Sequence, residues 1–215
     1  MTIIAFDLDG TISDPAEGIA ASINYSLQKL GHETRDSHLL LKYIGPRLDL
    51  VFADLLSTQE QSIITDGVAY YREHYGAIGY KQNTLYPGIE TLLESLSDLN
   101  MCLYVATAKK QEIAKDVIEH FNLAQYFKAV FGCGTDKTKD ELLVEIKKLE
   151  DPQKPLVMVG DRSHDMQAGK MVGAHCIGVL WGYGTAVELA EAGSDRLIDS
   201  PAELLAYLSE SSTNL

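Results

Sequence analysis

The feature that most constrains the fold is an alternation of short apolar runs with longer segments of helical periodicity. Six apolar runs have the length of strands: residues 2–6, 102–106, 129–131, 156–159, 176–180 and, shortest, 196–198. Such alternation is typical of parallel sheets, because each parallel connection needs a crossover helix that covers one face of the sheet. The sequence therefore predicts an α/β fold with a parallel, Rossmann-like sheet at its core.

The first two runs are separated by far more residues than one crossover needs, so we expect an additional domain between them. The stretch between them has four segments of helical periodicity and returns to the core through a glycine-containing polar segment. We therefore divide the chain into a core, residues 1–13 and 84–215, and a helical insert, residues 14–83.

Local signals place the four helices of this insert. Asp14 is an N-cap candidate with Pro15 at the first helical position, which favours a helix start there. The second and third patterns cover residues 36–43 and 47–56. The fourth is long and follows Ser-Thr-Gln-Glu at residues 57–60, which has the form of a capping box.

Composition excludes several classes of function. The chain has 215 residues, enough for one sizeable core with a smaller insert, and its 46% hydrophobic and 23% charged residues are ordinary for a globular enzyme. Its formal net charge of −13 argues against a nucleic-acid polymer or an anionic membrane as partner, because both bind basic faces. A small anionic substrate remains compatible, since a bound metal and nearby cations can outweigh the global charge inside a cleft.

Cysteine usage and the start of the chain indicate a cytoplasmic protein. Cys102, Cys133 and Cys176 are odd in number and widely spaced, so we expect reduced thiols in the core. The chain reaches Asp7 too early for a secretory signal, and no apolar run approaches the ~20 residues of a membrane span. We expect a monomer or a homodimer.

Two carboxylates stand where the first strand gives way to a glycine turn, in Asp7-Leu8-Asp9-Gly10-Thr11. Residues two apart on an extended chain point to the same side, so Asp7 and Asp9 are expected to face one pocket. Like charges held together need a cation or a shared proton. Mg²⁺ suits such oxygen ligands, and a plain acidic turn without metal is the alternative interpretation.

The string Asp-x-Asp-Gly-Thr after an apolar strand resembles the first motif of the haloacid dehalogenase superfamily of phosphohydrolases. This resemblance implies that Asp7 is a nucleophile, that Asp9 is an acid and base, and that Mg²⁺ is the cofactor. It also implies that the helical insert is a cap domain. Three further motifs of the superfamily should then follow in order.

The second motif is expected where the second strand ends, at Thr107-Ala108-Lys109. Thr107 lies at the carboxyl end of a strand and just before a helix, where hydroxyl and backbone N–H groups can bind a phosphate. The alternative is that Thr107 only caps the turn. In the order of the resemblance, we assign Thr107, Ala108 and Lys109 to phosphate or substrate binding.

A lysine at a helix start is unfavourable for the helix dipole unless it meets an anion, and Lys139 occupies such a position. Its place before Asp140-Glu141 resembles the third motif, whose lysine neutralises the nucleophile and the phosphate. Lys137 is the competing assignment, and a pair of solvated surface lysines is the alternative to both.

The run ending Gly160-Asp161-Arg162-Ser163-His164-Asp165 resembles the fourth motif, Gly-Asp-x-x-x-Asp. The resemblance implies that Asp161 is a direct Mg²⁺ ligand, together with Asp7 and the backbone carbonyl of Asp9. We assign Asp165 to the metal site as a water-mediated ligand or an orienting group, although a helix N-cap would also explain it. His164 is expected to be an exposed loop residue, because oxygen-rich Mg²⁺ sites rarely use imidazole.

Three other features carry weaker hypotheses. Arg47 follows Gly-Pro in the insert and can contact a substrate carboxylate or phosphate, or simply begin a helix. The tyrosines at 70, 71, 75 and 80 are expected to pack within the insert rather than stack on bases. Gly182-Tyr183-Gly184 lacks the third glycine and the context of a dinucleotide fingerprint.

All four motifs occur in order, and the resemblance points to the phosphoglycolate phosphatase-like branch. It implies a Mg²⁺-dependent phosphatase that hydrolyses a small phosphorylated metabolite through an aspartyl-phosphate, with phosphoglycolate as first substrate and a 5′-nucleotidase as alternative. A dehalogenase does not need the acid at position 9. A sugar phosphomutase stays open until products are known, and a regulatory binding protein would be expected to lack Asp7, Asp9 or Lys139.

Overall fold

The computed structural model describes residues 2–133 and 137–211 of the chain. These residues form two compact units, one made of Met1–Asp14 and Leu85–Leu215 and the other of Pro15–Thr84. The strands are β1 Ile3–Phe6, β2 Ser13–Asp14, β3 Thr84–Leu85, β4 Cys102–Thr107, β5 Ala129–Gly132, β6 Leu156–Gly160, β7 His175–Val179 and β8 Arg196–Ile198.

The helices alternate with these strands in the first unit and make up most of the second. They are α1 Ala16–Lys29, α2 Ser37–Leu40, α3 Leu48–Leu55, α4 Gln61–Ala77, α5 Ile89–Asp98, α6 Gln111–His120, α7 Lys139–Leu149, α8 Ser163–Met171, α9 Ala186–Glu191 and α10 Pro201–Ser211. Short 3₁₀ turns occur at Leu41–Tyr43, Gly79–Lys81 and Ala124–Tyr126. Among the described helices, none combines the length and the apolar composition that a membrane span requires.

The core unit is built on a six-stranded sheet in the order β5-β4-β1-β6-β7-β8. Every neighbouring pair in this sheet is parallel. The predicted α/β fold with a parallel sheet is therefore confirmed. The short strands β2 and β3 pair with each other in a separate two-stranded sheet.

Strand β1 lies at the centre of the sheet, and all four of its residues, Ile3 to Phe6, are completely buried. A strand covered by helices on both faces needs apolar side chains at every position, which explains the continuous run. Phe6 lies opposite Val105 of β4 and Val159 of β6, so the carboxyl ends of these three strands are in register. This register decides which side chains meet beyond the strands.

In the helical unit, α1 packs on α4 and α3 packs on α4. Gly67 of α4 allows the close approach, because a Cβ at this position would lie 2.8 Å from the ring of Phe52 in α3. Tyr71 and Tyr75 are buried and their rings stack with centroids 5.4 Å apart, as expected for tyrosines that pack within the insert.

Two predicted helix starts in this stretch are wrong. Ser57 does not cap α4; it has φ of 51°, and the chain makes a turn in which Thr58 Oγ1 accepts a hydrogen bond from Glu60 N. Asp14 does not cap α1, because the helix begins at Ala16 and its N-cap is Pro15. The Asp14 carboxylate instead accepts a hydrogen bond from the hydroxyl of Tyr183. The local sequence predicted that both helices exist, but it did not predict which groups Asp14 and Thr58, which precede them, contact.

Candidate active site

The candidate site lies where the carboxyl ends of three neighbouring strands meet. Asp7 follows β1, Thr107 ends β4, and Asp161 follows β6. Because β1 lies between β4 and β6, the sheet order brings these three residues to one edge, where open α/β sheets bind their ligands. Asp7, Thr107 and Asp161 are each at most 2% exposed.

The loop after β1 is folded tightly around Gly10. This residue has φ of 84°, a conformation that favours glycine, and a Cβ there would lie 2.2 Å from Asp161 Oδ2. Thr11 donates a hydrogen bond from Oγ1 to Asp161 Oδ1 at 3.2 Å. The glycine and the threonine of the first motif thus bring the first and fourth motifs into contact.

Lys139 begins α7 and lies between two carboxylates. Its Nζ is 2.9 Å from Asp7 Oδ1 and also contacts Asp165 Oδ1. Burial alone would lower the pKa of Lys139, but the Asp165 and Asp7 carboxylates outweigh it and raise the pKa above its ordinary value. The lysine therefore stays charged, and the two carboxylates that it meets offset its unfavourable position at the start of the helix. The competing Lys137 pairs with Glu145 and has a side chain 46% exposed.

Lys109 forms a second buried ion pair, with Asp9. Its Nζ lies 2.9 Å from Asp9 Oδ2, and both side chains are at most 10% exposed. Asp9 Oδ1 is buried and has no hydrogen-bond partner among the residues that the structure describes. The sequence associated Lys109 with phosphate and missed its pairing with Asp9, because that contact joins the loops after two different strands.

Asp165 is completely buried at the start of α8. Its Oδ2 accepts a hydrogen bond from Arg162 N at 3.0 Å, and its Oδ1 faces Lys139. The carboxylate therefore caps the helix and orients the lysine at the same time. Its predicted place in the metal site remains a prediction.

The expectation that His164 is an exposed loop residue is wrong. His164 lies in the first turn of α8, its side chain is 31% exposed, and its Nε2 is buried 3.9 Å from Asp165 Oδ1. Burial lowers the pKa of His164 to about 4, so the imidazole is neutral at pH 7. Ligand atoms of Asp7, His164 and Asp165 lie within 4.8 Å of one another, but the Lys139 ammonium already bridges the two carboxylates. Asp7 and Asp165 therefore share the Lys139 ammonium, and the neutral imidazole of His164 is not part of this ion pair.

Negative charge exceeds positive charge in the described part of the site. Four buried carboxylates, those of Asp7, Asp9, Asp161 and Asp165, face the two ammonium groups of Lys109 and Lys139. Burial is the main cause that raises the pKa of Asp7 to about 6 and that of Asp161 well above its usual range. In both groups burial outweighs the opposing effect of Lys139, so the charged forms are only partly compensated. A divalent cation with oxygen ligands fits this excess of charge.

Thr107 is 1% exposed, and its Oγ1 accepts a hydrogen bond from Lys109 N at 3.3 Å. This contact orders the turn of Thr107, Ala108 and Lys109 before α6. Arg47 belongs to the helical unit, where its guanidinium contacts the Asp49 carboxylate at 3.0 Å. Its predicted contact with substrate stays a prediction.

The segment from Trp181 to Gly184 also reaches the site, although no role was predicted for it from the sequence. Tyr183 N donates a hydrogen bond to Asp161 Oδ2 at 2.8 Å. A signal was present, since two glycines follow a buried strand at its carboxyl end.

Comparison with known proteins agrees with this geometry. A model of the haloacid dehalogenase-like hydrolase family matches residues 4–179. The chain is 36% identical over 190 residues to a 5′-nucleotidase of Pseudomonas aeruginosa, covering 86% of each chain. It is 31% identical over 210 residues to a phosphoglycolate phosphatase of Aquifex aeolicus, covering 95% of each.

Among solved structures, a predicted phosphatase from Clostridium acetobutylicum superposes with a TM-score of 0.89 at 35% identity, covering 97% of this chain and 98% of that chain. The resemblance carried by the four motifs is confirmed. The chain therefore belongs to the haloacid dehalogenase-like hydrolase family, and it is a phosphatase of that family.

Proposed function

We propose that the protein is a Mg²⁺-dependent phosphomonoester hydrolase that forms an aspartyl-phosphate on Asp7 and acts on a small phosphorylated metabolite. The observation that carries this proposal is the separate pairing of two neighbouring carboxylates. Asp7 faces Lys139, whereas Asp9 faces Lys109 through one oxygen and has its other oxygen without a partner among the described residues. Two carboxylates in different surroundings can take two different roles.

Asp7 is the nucleophile in this proposal. A carboxylate oxygen of Asp7 attacks phosphorus, so that an O–P bond forms to Asp7 while the bond from phosphorus to the ester oxygen breaks. Lys139, held by Asp165, stays next to the reacting carboxylate and stabilises the negative charge of the transferring group. The ion pair also keeps Asp7 ionised, as a nucleophile must be.

Asp9 is the acid and then the base. It gives a proton to the departing alkoxide, and in the second step it takes a proton from the water that attacks the aspartyl-phosphate. The second step releases inorganic phosphate, restores the Asp7 carboxylate and leaves Asp9 protonated, the form from which it donates in the next turnover. Lys109 holds Asp9 Oδ2, which leaves Oδ1 to exchange the proton.

The groups suited to hold Mg²⁺ are the carboxylates of Asp7 and Asp161 and the backbone carbonyl of Asp9. The two carboxylates belong to the excess of negative charge in the site. When bound, the cation supplies electrostatic stabilisation to the phosphoryl oxygens. Thr107 and the turn of Ala108 and Lys109 are proposed to bind the same phosphoryl group, because they precede the N-terminus of α6.

Phosphoglycolate is the first proposed substrate, and nucleoside 5′-monophosphates are the second. Both are supported by relatives, since one named phosphoglycolate phosphatase covers 95% of the chain and one named 5′-nucleotidase is 36% identical. The test is a panel that contains 2-phosphoglycolate, nucleoside 5′-monophosphates, sugar phosphates and an aryl phosphate, with release of inorganic phosphate as the readout. Transfer of phosphate between positions of a sugar, without its release, would instead identify a phosphomutase.

The role of Lys109 has a control in the adjacent residue. Lys110 is a surface lysine whose ammonium lies 3.4 Å from Glu112. We expect Lys109→Met to lower kcat by less than the ~10²-fold that a general acid contributes, because Asp9 remains but loses its orientation. Lys110→Met should leave kcat unchanged. Equal kcat values for the two variants would remove Lys109 from the mechanism.

A further inference from the structure

The segment Trp181-Gly182-Tyr183-Gly184, here called the 181–184 loop, follows β7 and touches the candidate metal site without supplying a ligand to it. It contains the only tryptophan of the chain. Two of its residues contact the loop after β1, and one contacts Asp161. The mechanism above uses none of these contacts.

The loop holds the carboxylate of Asp161 from one side. Tyr183 N donates to Asp161 Oδ2 at 2.8 Å, while Thr11 Oγ1 donates to Asp161 Oδ1 at 3.2 Å. Each oxygen thus has one protein donor, which fixes the plane of the carboxylate and leaves further lone pairs for a cation. Loss of a group that orients a metal ligand in this way typically lowers the affinity for the metal by about 10- to 100-fold.

Both glycines of the loop are required by this close approach. A Cβ on Gly182 would lie 2.3 Å from the carbonyl oxygen of Gly10 and 2.4 Å from Cβ of Asp161. A Cβ on Gly184 would lie 1.9 Å from the backbone oxygen of Asp161. The backbone of the loop therefore packs directly against the residue that it orients, with no room for a side chain.

Two side chains anchor the loop to the segment after β1. Trp181 Nε1 donates to Thr11 O at 3.0 Å, and the Tyr183 hydroxyl donates to Asp14 Oδ1. Thr11 is itself the second donor to Asp161. The loop, Thr11 and Asp161 consequently form one hydrogen-bonded unit in which Trp181 is two contacts away from the carboxylate.

We propose that the 181–184 loop positions Asp161 for the divalent cation and that the Tyr183 hydroxyl is the anchor that keeps it in place. The inference rests on the proposed function, because it assumes a cation at Asp161. It assigns Tyr183 as a positioning residue that acts through its backbone N–H. The same hydrogen bonds couple the cation to Trp181.

The test is a titration of the purified protein with Mg²⁺ alone, with the fluorescence of Trp181 as the readout. Tyr183→Phe removes only the hydroxyl, and we expect the dissociation constant for Mg²⁺ to rise about tenfold, as for other residues that orient a metal ligand. The control is Tyr207→Phe. The hydroxyl of Tyr207, on α10, lies 2.9 Å from Nε2 of His175, on β7. This control should leave the dissociation constant unchanged.

Thermal unfolding in the presence of a chelator separates positioning from folding. Equal melting temperatures of Tyr183→Phe and the wild type, together with weaker Mg²⁺ binding, support the proposal. An unchanged dissociation constant in Tyr183→Phe overturns it, and so does calorimetric Mg²⁺ binding without any change in Trp181 emission. A wild-type protein that binds no Mg²⁺ contradicts the proposed function and removes the basis of this inference with it.

Discussion

The two ends of helix α7 lie in two charged clusters, and the negative charge of the carboxylates is balanced differently in each. Lys139, its first residue, lies among the carboxylates at the carboxyl edge of the sheet, and Glu150 directly follows its last turn at the other end. Both clusters belong to the core unit and are built from acids and lysines. The near cluster is Lys139 with the carboxylates around it, and the far cluster is Glu150 with its partners. The protein neutralises the far cluster by itself, whereas the near cluster keeps negative charge for a ligand.

At the far end, Glu150 is neutralised by the protein alone. Its carboxylate accepts hydrogen bonds from three groups: Lys128 Nζ at 2.5 Å, Tyr104 Oη at 2.8 Å and Lys154 Nζ at 2.9 Å. These hydrogen bonds lower the pKa of Glu150 to about 2, and the one from Lys128 has the largest effect. One carboxylate with two lysines and a phenol is a satisfied structural cluster.

At the near end, the pKa values of Asp7 and Asp161 are raised, whereas that of Asp165 is lowered. Burial outweighs the nearby lysine and raises the pKa of Asp7 to about 6. The loops after β1 and β6 hold the carboxylates of Asp7 and Asp161 in this position. The raised pKa values of Asp7 and Asp161 thus mark the carboxylates that we propose to meet a cation and a substrate, whereas Asp165 and Glu150 have their counter-charges within the protein.

The largest effect is expected from Asp7→Asn, because an amide is not a competent nucleophile. Turnover should be abolished. The chelated variant should unfold at the same temperature as the chelated wild type or higher, since one uncompensated negative charge is removed. Brief reaction with a labelled phosphate ester should place the label on Asp7 of the wild type. Label on another residue would contradict the assigned role.

The next effect is expected from Lys139→Met, which leaves Asp7 and Asp165 without their shared cation. We expect loss of activity and a decrease of about 3–5 kcal/mol in the free energy of unfolding, as for a broken buried ion pair. Lys137→Met is the matched control, because its ammonium pairs with Glu145 at the surface. Denaturant unfolding that finds the two variants equally stable would show that Lys139 does not hold the cluster.

A smaller effect is expected from Glu150→Gln, which should lower stability by about 1–2 kcal/mol at pH 7 and leave kcat unchanged. The pKa of Glu150 is lower in the folded chain than its ordinary value of 4.5. The contribution of its charge is therefore complete above pH 4.5 and is lost as the pH falls towards 2. Denaturant unfolding at pH 7 and pH 3 should show the difference between variant and wild type shrinking at pH 3.

The sequence predicted one side of this comparison better than the other. Asp7, Thr107, Lys139 and Asp161 could be placed because strand ends and helix starts are local signals, and parallel strands bring such positions to one edge. Glu150 gave no signal, since Tyr104 and Lys128 are far from it in sequence and no motif marks them. The network of a structural cluster is visible only in three dimensions.

The same reason explains the errors near the site. The pairing of Lys109 with Asp9 and the contact of Tyr183 with Asp161 each join loops that follow different strands. Local propensity describes one loop at a time. The wrong prediction that Ser57 caps α4 has a similar origin. Helix α3 ends just before Ser57, and this residue belongs to the turn that ends α3.

The most direct test of the account is thermal unfolding and phosphatase activity of the wild-type protein after exhaustive chelation, with and without added Mg²⁺. If the near cluster awaits a divalent cation, Mg²⁺ at about a hundred times its dissociation constant should stabilise the protein by about 2.7 kcal/mol and restore hydrolysis. Asp161→Asn should weaken both effects, whereas Glu150→Gln should retain them. Hydrolysis that survives chelation unchanged, with no shift of the melting temperature on adding Mg²⁺, would contradict the account.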